Sequence, residues 1–134
     1  MASHIDTVRP AYEAFAQGDP SGLIGLFADD VVWDGPNSEE IPGGGRAEGK
    51  AAAEATLQRI AEQWDGYQGQ ADEFFAEGRT VVVLGHGQGT AKASGEEVKF
   101  PFVHVWRLRD DGTAEQVQAL TDTLLLGKAL RVAG

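Results

Sequence analysis

Residues 100–112 read Phe-Pro-Phe-Val-His-Val-Trp-Arg-Leu-Arg-Asp-Asp-Gly, and this stretch decides the fold. Alternation sets Phe100, Phe102, His104, Trp106 and Leu108 on one side of an extended chain. Pro101, Val103, Val105 and Arg107 fall on the other, the period-2 pattern of a β-strand. The strand is predicted over Val98–Arg109, and Asp111-Gly112 is a hairpin signal. If those two residues form the turn, the next strand, Ala114–Leu120, pairs His104 with Ala119, Trp106 with Val117 and Phe102 with Thr121. Large side chains then oppose small ones. That suits the floor of a cavity, and it suits ordinary core packing equally well.

Upstream, Thr80–Ala91 is rich in valine and threonine, and Tyr67–Ala76 precedes it across a turn at Glu77-Gly78. The four segments form an antiparallel meander. The turn at Ser94-Gly95 has two readings. With two residues in the turn, His86 faces Val103 and lies on the side away from His104. With three, the two histidines face each other as a candidate metal pair. Glycines on both sides of His86 point to a bulge or a close backbone approach. No metal site is assigned.

Further upstream the period changes. Ile5, Val8, Tyr12 and Phe15 share one face of a first helix, which Gly18 ends. Asp19-Pro20 starts a second, carrying Leu23, Leu26 and Phe27 inward. Ala28-Asp29-Asp30 is read as a turn into a short strand, Val31-Val32-Trp33, that Gly35-Pro36 stops. Residues 35–49 are read as a loop. Lys50–Trp64 is read as a third helix with Ala53, Leu57, Ile60, Ala61 and Trp64 on its inner stripe. Asp122 is placed to cap a last helix over Thr123–Val132. Helices gathered ahead of a curved sheet make an α+β fold: three N-terminal helices cover an antiparallel sheet, and a short helix closes the chain.

The composition narrows the function. A chain of 134 residues suits one domain, residues 1–134. A net charge of −10 repels nucleic acid and anionic lipid. The absence of cysteine removes thiol chemistry and Cys-based zinc sites. No stretch has the apolar length of a signal peptide or a membrane span, so a soluble, cytoplasmic protein is expected. Gly44–Ala51 nearly spells a phosphate-binding loop, but Ala51 stands where the hydroxyl is needed; a flexible loop is expected there.

His104 is therefore the candidate on which function turns. Among apolar neighbours it is either a hydrogen-bonded core residue or, with its pKa lowered by burial, a neutral base near pH 7. Its cross-strand neighbour, Ala119, supplies no carboxylate to orient it. Trp33 and Trp106 are either core or cavity wall. Tyr12 is either a core residue or a donor to a ligand oxygen.

Four stretches taken together, Tyr12–Asp19 (Tyr-Glu-Ala-Phe-Ala-Gln-Gly-Asp), Leu26–Trp33 (Leu-Phe-Ala-Asp-Asp-Val-Val-Trp), Pro101–Trp106 (Pro-Phe-Val-His-Val-Trp) and Thr121–Thr123 (Thr-Asp-Thr), resemble the SnoaL-like group of the nuclear-transport-factor-two-like superfamily. The superfamily also holds ketosteroid isomerases and limonene epoxide hydrolases. The resemblance runs from Ile5 to Leu130. It implies a conical α+β barrel around an apolar pocket, and a homodimer formed through the sheet. Its implied ligand is a small hydrophobic, oxygen-bearing molecule of polyketide, terpene or steroid type. Its implied chemistry is acid–base isomerisation, cyclisation or hydrolysis without a cofactor.

Carried over by position, the family's residues give a mixed answer. The histidine of SnoaL-type cyclases matches His104, but their last-strand aspartate falls at Ala119. The tyrosine of the steroid isomerases matches Tyr12. Their base falls at Gly35, with Asp34 one residue away. The Asp-Arg-Asp set of the epoxide hydrolases has no counterpart. The expected site is thus His104 as base, Tyr12 as donor to a developing oxyanion and Asp34 as second acid. The wall is formed by Trp33, Phe102, Trp106, Phe15, His86, Val117 and Ala119. The alternative is a non-catalytic ligand-binding or protein-interaction domain on the same scaffold.

Overall fold

Ten elements follow one another: α1 (His4–Phe15), α2 (Ser21–Gly25), β1 (Phe27–Asp34), β2 (Arg46–Glu48), α3 (Lys50–Glu62), β3 (Trp64–Glu77), β4 (Thr80–Ala91), β5 (Glu97–Leu108), β6 (Ala114–Thr121) and α4 (Thr123–Ala129). The computed structural model describes residues 3–132. Met1, Ala2, Ala133 and Gly134, the ends of the domain expected over 1–134, lie outside the described residues. The six strands form one curved, unclosed sheet in the order β2-β1-β6-β5-β4-β3. The fold is α+β, the expected cone. Strands β3 to β6 make the antiparallel meander. The sheet as a whole is mixed, because β1 joins β6 in parallel.

Local chemistry sets the boundaries. Ser3 and Asp6 form a reciprocal capping box at the start of α1. Gly18, at φ +83°, ends it: Gly18 N–H bonds to Phe15 O at 3.0 Å and Asp19 N–H to Ala14 O at 3.1 Å, the two bonds of a Schellman motif. The Asp122 carboxylate accepts from Leu125 N–H and caps α4. That helix stops at Ala129, short of Val132, just ahead of Arg131 at φ +54°.

Other expected boundaries move as well. The second helix ends at Gly25, so Leu26 and Phe27, expected on it, lie beyond it, and Phe27 opens β1. Ala28–Asp30 belong to β1 rather than to a turn, where a register irregularity against β6 absorbs the slack. The loop over 35–49 contains β2, an edge strand paired with β1. Trp64 opens β3 opposite Ala91 instead of closing α3; an inward residue four places after Ile60 fits a helix and a strand start alike.

The registers carry the site. The predicted pairs His104–Ala119, Trp106–Val117 and Phe102–Thr121 are all present. The turn that produces them differs from the expected one. Arg109 N–H bonds to Thr113 O, so three residues make the turn, with Gly112 at φ +85°. A bulge between Arg107 and Leu108 then restores the register. Between β4 and β5 the pairing is His86–Pro101 and Val83–His104. Neither turn reading at Ser94-Gly95 gives that register. Only the two-residue reading gave the right face, with His86 on the side away from His104.

The inner face of the sheet meets the helices. Val81, Val83, Phe102, Trp106, Leu108, Val117 and Trp33 pack against Val8, Ala11, Tyr12 and Phe15 of α1. A second cluster joins Ile41, Trp64, Phe100, Leu126 and Leu130. Among the described residues, no helix is long and apolar enough to cross a membrane.

Candidate functional site

Alternation along β5 sends Phe102, His104 and Trp106 under the helices. The inward face of α1 lowers Tyr12 onto them. The Trp106 indole Nε1–H donates to the Tyr12 oxygen at 2.7 Å. The same oxygen lies 2.7 Å from His104 Nδ1. An indole nitrogen can only donate, so the tyrosine oxygen is the acceptor in the first contact. Its own hydrogen then has one partner among the described residues, the Nδ1 lone pair. The opposite tautomer would leave the phenol hydrogen buried and unpaired, which costs about 1–3 kcal/mol. Tyr12 thus donates to Nδ1, and the imidazole proton resides on Nε2.

Nε2 has no protein partner among the described residues, and no buried side-chain nitrogen or oxygen there is left unsatisfied. It therefore meets open space. His104 lines a cavity of about 70 Å³ whose wall includes Phe15, Trp33, Phe102, Trp106, Val117 and Ala119. The ring is fixed from below by Phe102, stacked at 4.1 Å and 15°. Desolvation pushes the His104 pKa down to about 3, so the ring is neutral at pH 7. Burial raises the Tyr12 pKa far above the usual phenol range, and the phenol keeps its proton. Both groups are partners in a neutral relay, Trp106 to Tyr12 to His104, whose free end is an N–H donor.

The cavity wall is completed by Pro36, Pro42 and Gly43 from the β1–β2 loop and by Leu126 and Leu130. Trp33 holds this loop down, its Nε1–H donating to Gly43 O at 2.9 Å. Among the lining residues there is no carboxylate, lysine or arginine.

The profile of the SnoaL-like domain matches residues 8–116. The chain belongs to the SnoaL-like family. Solved structures agree. An NTF2-like protein of unknown function from Burkholderia pseudomallei is 31% identical, with a TM-score of 0.84 over 97% of this chain and 98% of that one. TerC, co-crystallised with polyporic acid, is 27% identical, with a TM-score of 0.82 over 96% of this chain and 98% of its own. A SnoaL-like, polyketide-cyclase-like protein from Jannaschia sp. is 18% identical and shares the fold, with a TM-score of 0.81 over 98% of this chain and 93% of the other. No curated protein matches the chain.

Within this SnoaL-like frame, the sequence candidates separate. Trp33, Phe15, Phe102, His104, Trp106, Val117 and Ala119 come together around the cavity. Tyr12 sits behind His104, 2% exposed, with its hydroxyl committed to the relay. It positions the histidine through that contact. Asp34 does not join the cavity wall. Trp33 pairs with Val117 on the inner face, so Asp34, paired with Gln118, points outward. His86 does not join it either. It lies on the outer face, 2.9 Å from Asp72. The proposed His86–His104 metal pair is therefore separated by the sheet, and among the described residues no group of three or more metal-ligating side chains occurs. With the proton on Nε2, His104 presents a donor to the cavity, where the sequence led to the expectation of a base.

The sequence reading missed Tyr67, which lines the cavity. A usable signal was Gly69, two residues on and so on the same face. A Cβ there would run into the Phe15 ring, so that glycine marks the inner side of β3.

Proposed function

We propose that this SnoaL-like chain binds a small, mostly apolar, oxygen-bearing molecule in the cavity, with His104 Nε2–H donating to its oxygen. One observation carries the reading: a neutral donor nitrogen, its tautomer held by Tyr12, is left without a protein partner on a mostly apolar wall. In such surroundings a single hydrogen bond orients a ligand and discriminates strongly against one that lacks the acceptor. Support also comes from TerC, a relative at 27% identity whose structure contains polyporic acid. Polyketide-, terpene- and steroid-like ligands all fit this description.

Binding without turnover is the reading favoured by the wall, which offers a donor and no carboxylate. The second reading, isomerisation or cyclisation, is favoured by the donor itself. A neutral imidazole polarises a carbonyl and stabilises the enolate that forms from it. On that reading, the proton is taken by the ligand's own basic group or by water.

The cavity of about 70 Å³ is smaller than the roughly 300–1,000 Å³ of typical ligand sites. Occupation thus requires the β1–β2 loop and α4 to move outward. The chain is further proposed to dimerise through the outer sheet face, where Val82, Leu84, Val103 and Val105 are half-buried and Leu120 is 48% exposed. Sedimentation equilibrium checks this: Val103→Lys should yield monomer from a dimeric parent.

Titration with 1-tetralone tests the binding reading. Shifts should concentrate on the Trp33, Phe102, His104 and Trp106 resonances, and tetralin, which lacks the carbonyl, should bind about fivefold more weakly. Equal affinity for the two, or shifts elsewhere, would refute it.

A further inference from the structure

We infer that Tyr67 is a second polar anchor of the cavity, and that the ligand is a flat aromatic molecule carrying two oxygen functions, one for His104 and one for the Tyr67 hydroxyl. The inference rests on the binding reading above and goes on to name the ligand class.

Tyr67 follows Trp64 in the first residues of β3 and, like it, lines the main cavity. It also lines a second void of about 40 Å³, which shares Phe15, Leu23, Leu57 and Ile60 with the first. The Tyr67 hydroxyl has no hydrogen-bond partner among the described residues. Since no buried side-chain oxygen there is left unsatisfied, it too meets open space. Tyr67 packs edge-on against Phe15, the ring that Tyr12 also meets, and burial raises its pKa above the usual phenol range. Tyr67 is thus a protonated phenol, able to donate and to accept, on the same wall as His104 Nε2.

The shape of the ligand follows from the rings stacked on each of the two anchors. Trp64, Tyr67 and Phe100 stack with centroids 5.4–6.2 Å apart and planes within 28°. Phe102 and His104 form a second stack at 4.1 Å. Parallel aromatic faces accommodate a planar ring system better than a branched aliphatic one. Moving Leu57 and Ile60 joins the two voids and lengthens the space under the helices. A molecule with a single oxygen would satisfy one end only.

The test compares 1-tetralone with its 5-, 6- and 7-hydroxy derivatives on the wild-type chain and on Tyr67→Phe, by calorimetry. At least one hydroxy derivative should bind the wild type about fivefold tighter than 1-tetralone does. Tyr67→Phe should bring the affinity ratio of that derivative to 1-tetralone from about five back to about one, with circular dichroism verifying the fold. If 1-tetralone binds and the substitution alters no derivative's affinity, the Tyr67 assignment is overturned while the His104 site stands. If none of the four binds, the cavity reading falls and this inference with it.

Discussion

The Tyr12 hydroxyl lies 2.7 Å from His104 Nδ1, although 92 residues separate the two in sequence. The contact fixes which imidazole nitrogen carries the proton. With Trp106 donating to the same oxygen, it turns an expected base into a hydrogen-bond donor facing an apolar cavity.

Tyr12→Phe removes the hydroxyl and strands two buried groups, Trp106 Nε1–H and His104 Nδ1. The expected cost is about 1–3 kcal/mol of stability, read by urea denaturation. In the nitrogen spectrum, His104 should change from one tautomer to a mixture. A variant as stable as the parent, with its tautomer unchanged, would show that the relay is not the fixing element.

The stability of the chain should depend on pH through His104. Its folded pKa, about 3, lies below the ordinary 6.5. Between those values the unfolded chain binds a proton that the folded chain refuses. Stability from this group is therefore full above pH 6.5 and is lost as pH falls toward 3, by up to about 1.4 kcal/mol per pH unit. His104→Gln should flatten the slope between pH 6.5 and 5, above most carboxylate titration. Parallel slopes for the two proteins would contradict the burial argument.

Ala119→Asp places a carboxylate directly across from His104, where the family resemblance expects one. The nearby negative charge should raise the His104 pKa. Burying the new carboxylate in a wall without cations should cost on the order of 2–4 kcal/mol. Proton NMR titration and thermal unfolding check the two effects. A His104 pKa that stays put would mean that the new side chain turns away from the ring.

Gly35→Ala should loosen the part of the cavity wall formed by the β1–β2 loop. A Cβ at Gly35 runs into the Gly43 carbonyl and comes within 2.9 Å of Trp33 Nε1. The Trp33–Gly43 hydrogen bond should break, so the Trp33 indole N–H should exchange with solvent faster and 1-tetralone should associate faster. Unchanged exchange would show that this bond does not govern access.

Much of this architecture is legible in the residues. Alternation over 100–108 sorted β5 into two faces, without saying which of these two apolar faces meets the helices, and the pairs opposite His104 and Trp106 came out right. They did so because a turn one residue longer than expected was offset by a bulge near Leu108. Such cancellation leaves no trace in the sequence. Trp64 shows another limit, since one inward residue fits both the end of α3 and the start of β3. Asp34 could have been excluded by parity, because Trp33 is the apolar residue facing inward beside it. The Tyr12–His104 contact had no local signature. It depends on where α1 comes to rest across the sheet, which is set by the packing of Val8, Ala11 and Phe15. Tyr67 escaped notice because a lone tyrosine at a strand start signals only β-propensity.

The central claim, that His104 presents Nε2–H to the cavity, is tested most directly by a long-range nitrogen–proton NMR correlation spectrum of the ¹⁵N-labelled chain at pH 7. The predicted pattern is a protonated Nε2 and an unprotonated Nδ1, held without titration down to pH 5. A proton on Nδ1, or an imidazolium forming near pH 6.5, would contradict it.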